Sequence, residues 1–402
     1  MIRLAEPQIT EEALRAVRDV LTSGWLVQGR HVSAFEQSVA DFVGIPDTVA
    51  VSSGTAALHT ALLALGVGPG DEVAVSAYSY VATANVIEMC RATPVFIDID
   101  PRTFNMDARR FEEAVAEAIR RRNGADAAHR GAADDRGASV STAAGGGARR
   151  PPFAAMVVVH TFGQMADIES IGAIAAHHGI PVIEDAACAL GATWNGRQPG
   201  ATTRVACYSF HPRKALTTGE GGLLASTDPE LAATARALRN HGQDPAAASP
   251  DFIMPGLNYR MTEFQAVLGS AALEQLSESI AIRRALAARY DELLADLVEV
   301  PLVPPASGHV YQSYVVLLPP EIAPRRAELI AALAQRGVES GIGTWAMPTT
   351  TYYRNRYGYT DESFPVTSEV FLRSLSLPLH DRITAEQQEQ VSRALRAVLQ
   401  EL

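Results

Sequence analysis

Lys214 stands in residues 207–222, CYSFHPRKALTTGEGG, between a short apolar run and a glycine-rich turn. An amine held at a strand-to-loop junction can lose its proton and attack a carbonyl carbon to form a covalent imine. A loop lysine is by default a solvated surface charge, so this chemistry depends on what else the sequence gathers. Residues 181–192, PVIEDAACALGA, place Asp185 at the carboxyl end of a short apolar run, where ligands of open α/β sheets collect. Asp185 could keep a ring nitrogen protonated there, or it could cap an Ala-rich helix that follows it. Residues 49–66, VAVSSGTAALHTALLALG, run from a strand through Ser-Ser-Gly-Thr into an apolar helix. Free N–H groups, the helix dipole and the Thr55 hydroxyl converge there on one anion, and Gly54 admits it closely, although a plain helix cap reads the same way. Tyr78 and Tyr80 follow the run 72–76, and an aromatic at that point can stack on a flat ring or pack at the sheet edge. A Schiff-base lysine, a ring-nitrogen aspartate, a phosphate site and a stacking aromatic are together the contacts of pyridoxal 5′-phosphate (PLP).

The elements that must position these residues follow from the apolar pattern. Strand-like runs at 49–52, 72–76, 94–98, 153–160, 181–184, 205–210 and 222–226 alternate with helical stretches. Repeated βα units predict an α/β fold with a mostly parallel sheet covered by helices on both faces. After residues 240–250 helical periodicity dominates from 261 to about 297. A strand at 310–318, a helix at 324–335 and a final helix at 385–399 then indicate a smaller α/β domain. The division expected is a large domain over 1–250, with its first residues packing on the small domain, and linking helices plus the small domain over 251–402. Residues 120–152 are rich in Gly, Ala and Arg and nearly free of large apolar groups, which predicts a mobile surface insertion.

The chain has 402 residues, 47% of them hydrophobic, enough for a large core and for two domains. A net charge of -11 without a basic stripe argues against nucleic acid as a main partner. Three cysteines, Cys90, Cys188 and Cys207, lack metal-ligand spacing and form no disulfide framework, which suits a reducing cytoplasm and predicts no metal site. The opening residues lack a charged segment followed by an apolar one, and no run approaches the ~18 apolar residues of a membrane span, so neither export nor membrane insertion is indicated.

Taken in order, the motifs resemble those of the sugar aminotransferases of the DegT/DnrJ/EryC1/StrS family, which share the aspartate-aminotransferase fold. The resemblance spans nearly the whole chain. It rests on GWLVQGRHVSAFE at 24–36, SGTAAL, GDEV at 70–73, VATAN, PVFIDID at 94–100, VIEDAA, SFHPRK with TTGEGG, NYRMTEFQA at 258–266 and SLPLH at 376–380. It implies the PLP-dependent transferase fold type I, with a large domain built on a mostly parallel mixed sheet and a smaller C-terminal α/β domain.

By position, the resemblance implies that Lys214 binds PLP covalently and carries the proton between substrate carbon and cofactor. Asp185 would pair the ring nitrogen; Gly54, Thr55, Ala56 and Ser209 would hold the phosphate; Tyr80 would stack on the ring. Asn258 would reach the phosphate from the partner subunit of a homodimer, although on its residues alone it could cap the following helix. Cys188 departs from the family, where many relatives carry Gln or His; it could also be a small buried apolar residue. Trp345, Met347 and Pro348 likewise replace a Tyr and His pattern associated with substrate contact.

A dehydratase branch of the family has histidine in place of the lysine, so Lys214 favours transamination, with glutamate as donor and a pyridoxamine phosphate intermediate. TTGEGG resembles members acting at C4 of nucleotide-linked 4-keto-6-deoxyhexoses. The alternatives are a C3 keto sugar, a cyclitol, or a PLP-binding regulator without turnover, against which Glu220 and the glycine turn argue.

Overall fold

The computed structural model describes residues 1–133 and 151–402. Its strands are β1 Asp47–Val51, β2 Glu72–Ser76, β3 Tyr78–Ser79, β4 Thr93–Ile97, β5 Ala155–Val159, β6 Val182–Asp185, β7 Thr193–Trp194, β8 Val205–Ser209, β9 Gly222–Ser226, β10 Ser307–Gly308, β11 Tyr314–Leu317, β12 Trp345–Ala346 and β13 Ser374–Leu377. Seven form one sheet in the order β1-β9-β8-β6-β5-β2-β4. Strand β9 runs antiparallel to both neighbours, and the other pairings are parallel. Every run read as a strand before residue 230 is present within a few residues, giving the mostly parallel mixed sheet expected.

The continuous apolar runs follow from burial on both faces. Along β5, Met156 and Val158 join a core with Phe35, Val39 and Leu273, while Ala155 and Val157 face Leu58, Leu62 and Ile87. All five β5 residues are buried.

A third core is formed by Tyr290, Tyr314, Leu329, Leu333, Leu375, Leu395 and Val398. The helix Glu263–Leu294, opened by a Thr262/Gln265 capping box, runs from one core to the other. Ala266, Leu273 and Ile280 lie in the first core, and Ala287, Tyr290 and Leu294 in the third. Ile2 also enters the third core, accepting the Glu339 N–H at 2.9 Å and donating to the Gly337 carbonyl at 2.7 Å.

Two expectations change, and a third is described only in part. The segment 120–152 begins as helix, because Ala108–Ala133 is one unbroken helix. Its Ala- and Arg-rich composition favours that state even without apolar surface to bury. The remaining expectation of mobility over 134–150 lies outside the described residues. No helix follows Asp185: residues 186–192 form turns, with Gly191 at φ 82°, before β7. Nor is Asn258 a helix cap, since Thr262 takes that role. Among the described residues no helix is long and apolar enough to cross a membrane.

Candidate active site

The carboxyl ends of β6 and β8 meet the start of the helix Gly54–Ala64, and the sequence-derived residues converge there. Asp185 ends β6, paired in register with Cys207 of β8. It is buried at 4% exposure, so its carboxylate needs partners. The Thr83 hydroxyl donates to Oδ2 at 2.7 Å and the Ala187 N–H to Oδ1 at 3.1 Å. A carboxylate accepts about four hydrogen bonds, so capacity remains for one more donor such as a protonated ring nitrogen. Behind it, the Ala166 N–H donates to His160 Nδ1 at 3.1 Å, so Nε2 carries the hydrogen toward Glu184, 2.6 Å away. The His160 N–H bonds the Asp185 carbonyl at 3.0 Å, tying the end of β6 to this buried pair.

Ser209 ends β8 directly opposite Gly222, the first residue of β9. Ser53 is the N-cap of the helix Gly54–Ala64, its hydroxyl accepting the Ala56 N–H at 3.1 Å. The backbones are close enough that side chains are excluded. A Cβ on Gly54 would lie 2.7 Å from the Ser209 Cβ, and one on Gly222 would lie 2.3 Å from the Ser53 carbonyl oxygen. With Thr55 exposed beside them, this is a glycine-lined cradle at a helix N-terminus, the arrangement that holds phosphate. The residues present therefore fit PLP at both its ends, a carboxylate for the basic ring nitrogen and a helix N-terminus for the phosphate.

Lys214 is half-buried on the loop that joins β8 to β9. Its Nζ donates to the Cys188 thiol at 2.9 Å. Cys188 lies in the turn after Asp185, so this contact brings Lys214 to the same end of the sheet. The other two thiols are buried; burial pushes Cys90 up to about 11, and burial, with the Asp185 charge adding to it, pushes Cys207 well above the usual thiol value. His211, whose Nδ1 accepts the Arg213 N–H at 3.2 Å, is held below its usual value by burial, against the opposing Glu220 carboxylate.

The two tyrosines separate. Tyr78 is fully buried and its hydroxyl donates to Ser374 at 2.9 Å, so it is a packing residue. Tyr80 is 60% exposed, and its carbonyl accepts the N–H of Thr83, the same residue that bonds Asp185. Asn258 is exposed. Its neighbour Tyr259 accepts the Ser52 N–H at 2.8 Å, so the segment borders the helix start within its own chain.

Sequence reasoning missed Thr83 and Gln312. Thr83 is one helical turn beyond Tyr80 in VATAN, and that spacing was a usable signal. Gln312 comes from the C-terminal half: its Oε1 accepts the Ala215 N–H at 2.8 Å and its Nε2 donates to the Arg213 carbonyl. No local pattern pointed to it.

Comparison with known proteins identifies the family. A family model described as the DegT/DnrJ/EryC1/StrS aminotransferase family matches residues 7–396. The chain belongs to that family. It is 34% identical to GDP-perosamine synthase of Caulobacter vibrioides over 99% of this chain and 98% of that one. It is equally 34% identical to a pleiotropic regulatory protein of Geobacillus stearothermophilus, over 97% and 96% of the two chains. Among solved structures, the PLP form of the putative sugar aminotransferase Spr1654 of Streptococcus pneumoniae matches with a TM-score of 0.84 and 25% identity, covering 100% of this chain and 99% of that one. The same protein has also been solved in a PMP form.

Proposed function

We propose that this protein uses pyridoxal 5′-phosphate to transfer an amino group from glutamate to a nucleotide-linked 4-keto-6-deoxyhexose, giving a 4-amino-4,6-dideoxy sugar nucleotide. The observation that carries the reading is the convergence of the Lys214 amine, the Asp185 carboxylate and the Gly54–Ser209–Gly222 cradle at one end of the sheet. The bound cofactor supplies an electron sink for the substrate carbon. The protein's own groups do the rest. Lys214 anchors the cofactor and carries the proton. Asp185, held by Thr83, keeps the ring nitrogen charged. Gly54, Thr55, Ala56 and Ser209 hold the phosphate, and the exposed Tyr80 covers the ring.

A sugar acceptor is supported by the name GDP-perosamine synthase borne by a 34% identical relative over nearly its whole length. The C4 position rests on the resemblance of the TTGEGG run after Lys214 to family members that act at C4. We further read the enzyme as a cytoplasmic homodimer in which Asn258 completes the partner's site, with residues 1–250 as the large domain and 251–402 as the linking helices and small domain. The regulatory name of another relative supports a second reading, PLP binding without turnover; the retained lysine and half-buried amine favour turnover.

The deciding experiment incubates purified protein and PLP with glutamate and a panel of 4-keto-6-deoxy and 3-keto nucleotide sugars. Formation of 2-oxoglutarate with amination of a 4-keto sugar, absent in Lys214→Ala, is the expected result. Exclusive use of 3-keto sugars would reject the regiochemistry. Failure to form 2-oxoglutarate would reject the enzyme.

A further inference from the structure

The backbone on both sides of Lys214 is held by one side chain from the other half of the molecule. Gln312 is buried, and its amide spans the lysine, accepting from the Ala215 N–H at 2.8 Å and donating to the Arg213 carbonyl. A primary amide is the group that fits this pair, because it presents one acceptor and two donors in a plane. The amide is itself fixed. The Val310 N–H donates to the Gly163 carbonyl at 3.0 Å and the Ser313 N–H to the Phe162 carbonyl at 3.4 Å, so the segment carrying Gln312 is strapped to the turn after β5. A Cβ on Gly163 would lie 2.9 Å from the Cys188 carbonyl oxygen and 3.0 Å from the Gln312 backbone nitrogen, so the turn also abuts the loop whose thiol contacts the lysine amine. Both ends of Lys214, backbone and amine, are thus referenced to one packed junction.

We propose that Gln312 is a positioning residue for Lys214, fixing the peptide units on either side so that the released amine stays within reach of the reacting carbon. The inference rests on the aminotransferase reading above. The loop around residue 214 has no helix or strand ladder to hold it. A lysine that must leave and return in each cycle gains from a rigid base, since a displacement of about 1 Å can cost ~100-fold in rate. The clamp holds only main-chain atoms, so it constrains the base while leaving the side-chain torsions free to swing.

The test compares Gln312→Leu, which removes both bonds, with Gln312→Glu, which keeps the acceptor for Ala215 and removes the donor to Arg213. Amide hydrogen exchange at Ala215, read on cofactor-free protein, is expected to be about tenfold or more faster in Gln312→Leu and near wild type in Gln312→Glu. In the loaded enzyme kcat should fall ~10- to 100-fold in Gln312→Leu with KM changed less than about twofold, and Gln312→Glu should recover part of that loss. Unchanged exchange at Ala215, or unchanged kcat in an active enzyme, overturns the proposal. So does a loss of thermal stability that accounts for all the lost activity, with kcat per folded site intact. If Gln312→Leu does not fold, Gln312→Glu decides alone: its kcat must lie below wild type at unchanged KM. A wild-type protein that forms no 2-oxoglutarate would reject the enzymatic reading, a result distinct from unchanged rates in the variants.

Discussion

The Lys214 amine donates a hydrogen bond to the Cys188 thiol at 2.9 Å, linking the loop after β8 to the turn after β6. A thiol is a weak acceptor. The contact thus orients the amine only weakly. Cys188→Asp should therefore act through electrostatics: a carboxylate so close favours the protonated amine and raises its pKa. PLP attachment at neutral pH should slow, and the pH at which half the sites carry lysine-bound cofactor should move upward. Visible absorbance against pH measures this, and Cys188→Ser should leave the midpoint near wild type.

Asp185→Asn keeps the shape of the β6 end and removes its charge. Turnover should fall by orders of magnitude while cofactor binding changes much less. Thr83→Val removes the hydroxyl that bonds Asp185 at 2.7 Å. A hydrogen bond to a charged group contributes about 1.5–3 kcal/mol, so a loss of roughly tenfold or more in kcat is expected for it. Steady-state kinetics at saturating PLP separate the two variants.

The phosphate cradle makes a steric prediction. Gly54→Ala forces a methyl to within 2.7 Å of the Ser209 Cβ. Overpacking of this kind costs about 1–3 kcal/mol, and the methyl also crowds the anion's approach to the helix start. A lowered unfolding midpoint and a PLP Kd raised together are the expected result, read by denaturation and by cofactor titration.

Dimer sharing is tested by complementation. Asn258→Asp should weaken PLP retention if the side chain reaches a phosphate, through like-charge repulsion. Co-refolded with Lys214→Ala at equal ratio, it should recover up to about a quarter of wild-type sites, because random pairing gives heterodimers with one undamaged site. Inactive heterodimers from two well-folded parents would place Asn258 outside the partner's site.

His309 predicts acid sensitivity. Burial pushes its pKa down to about 3, helped by Arg284 and opposed by a bond to Gly163. Its ring stacks on Tyr311 at 4.0 Å, and its Nδ1 accepts the Tyr311 N–H. The folded protein thus holds His309 neutral where the unfolded chain, with an ordinary value near 6.5, takes up a proton. Its contribution to stability is complete above about pH 6.5 and is lost as the pH falls toward 3. His309→Phe should flatten that part of the stability curve, measured by denaturant unfolding at a series of pH values.

The sheet was legible because its strands are buried on both faces and separated by turn residues, so β2, β5, β6 and β9 were found nearly to the residue. Lys214, Asp185 and Gly54 were legible because each ends or begins such an element, where backbone groups and ligands meet. Thr83 and Gln312 belong to contacts between distant parts of the chain, 102 and 97 residues apart; the spacing from Tyr80 offered a signal for Thr83, whereas no local pattern points to Gln312. The helix misread after Asp185 shows the opposite limit. Alanines favour helix, yet a short stretch closed by Gly191 at φ 82° gains more from turns that point its backbone at the Asp185 carboxylate.

The reversed direction of β9 bears on how the protein acquires its active site during folding. Because β8 and β9 pair antiparallel, Lys214 lies in a hairpin whose strands are joined by residues 210–221 alone, whereas β1 meets β9 only after more than half the chain has been made. Contacts of short sequence separation form quickly and long-range ones slowly. The lysine loop can therefore close early, and the glycine cradle can be completed only when the first strand docks. Substitutions at Gly222 should then report on the late docking step, and substitutions at Lys214 should leave the folding rate untouched.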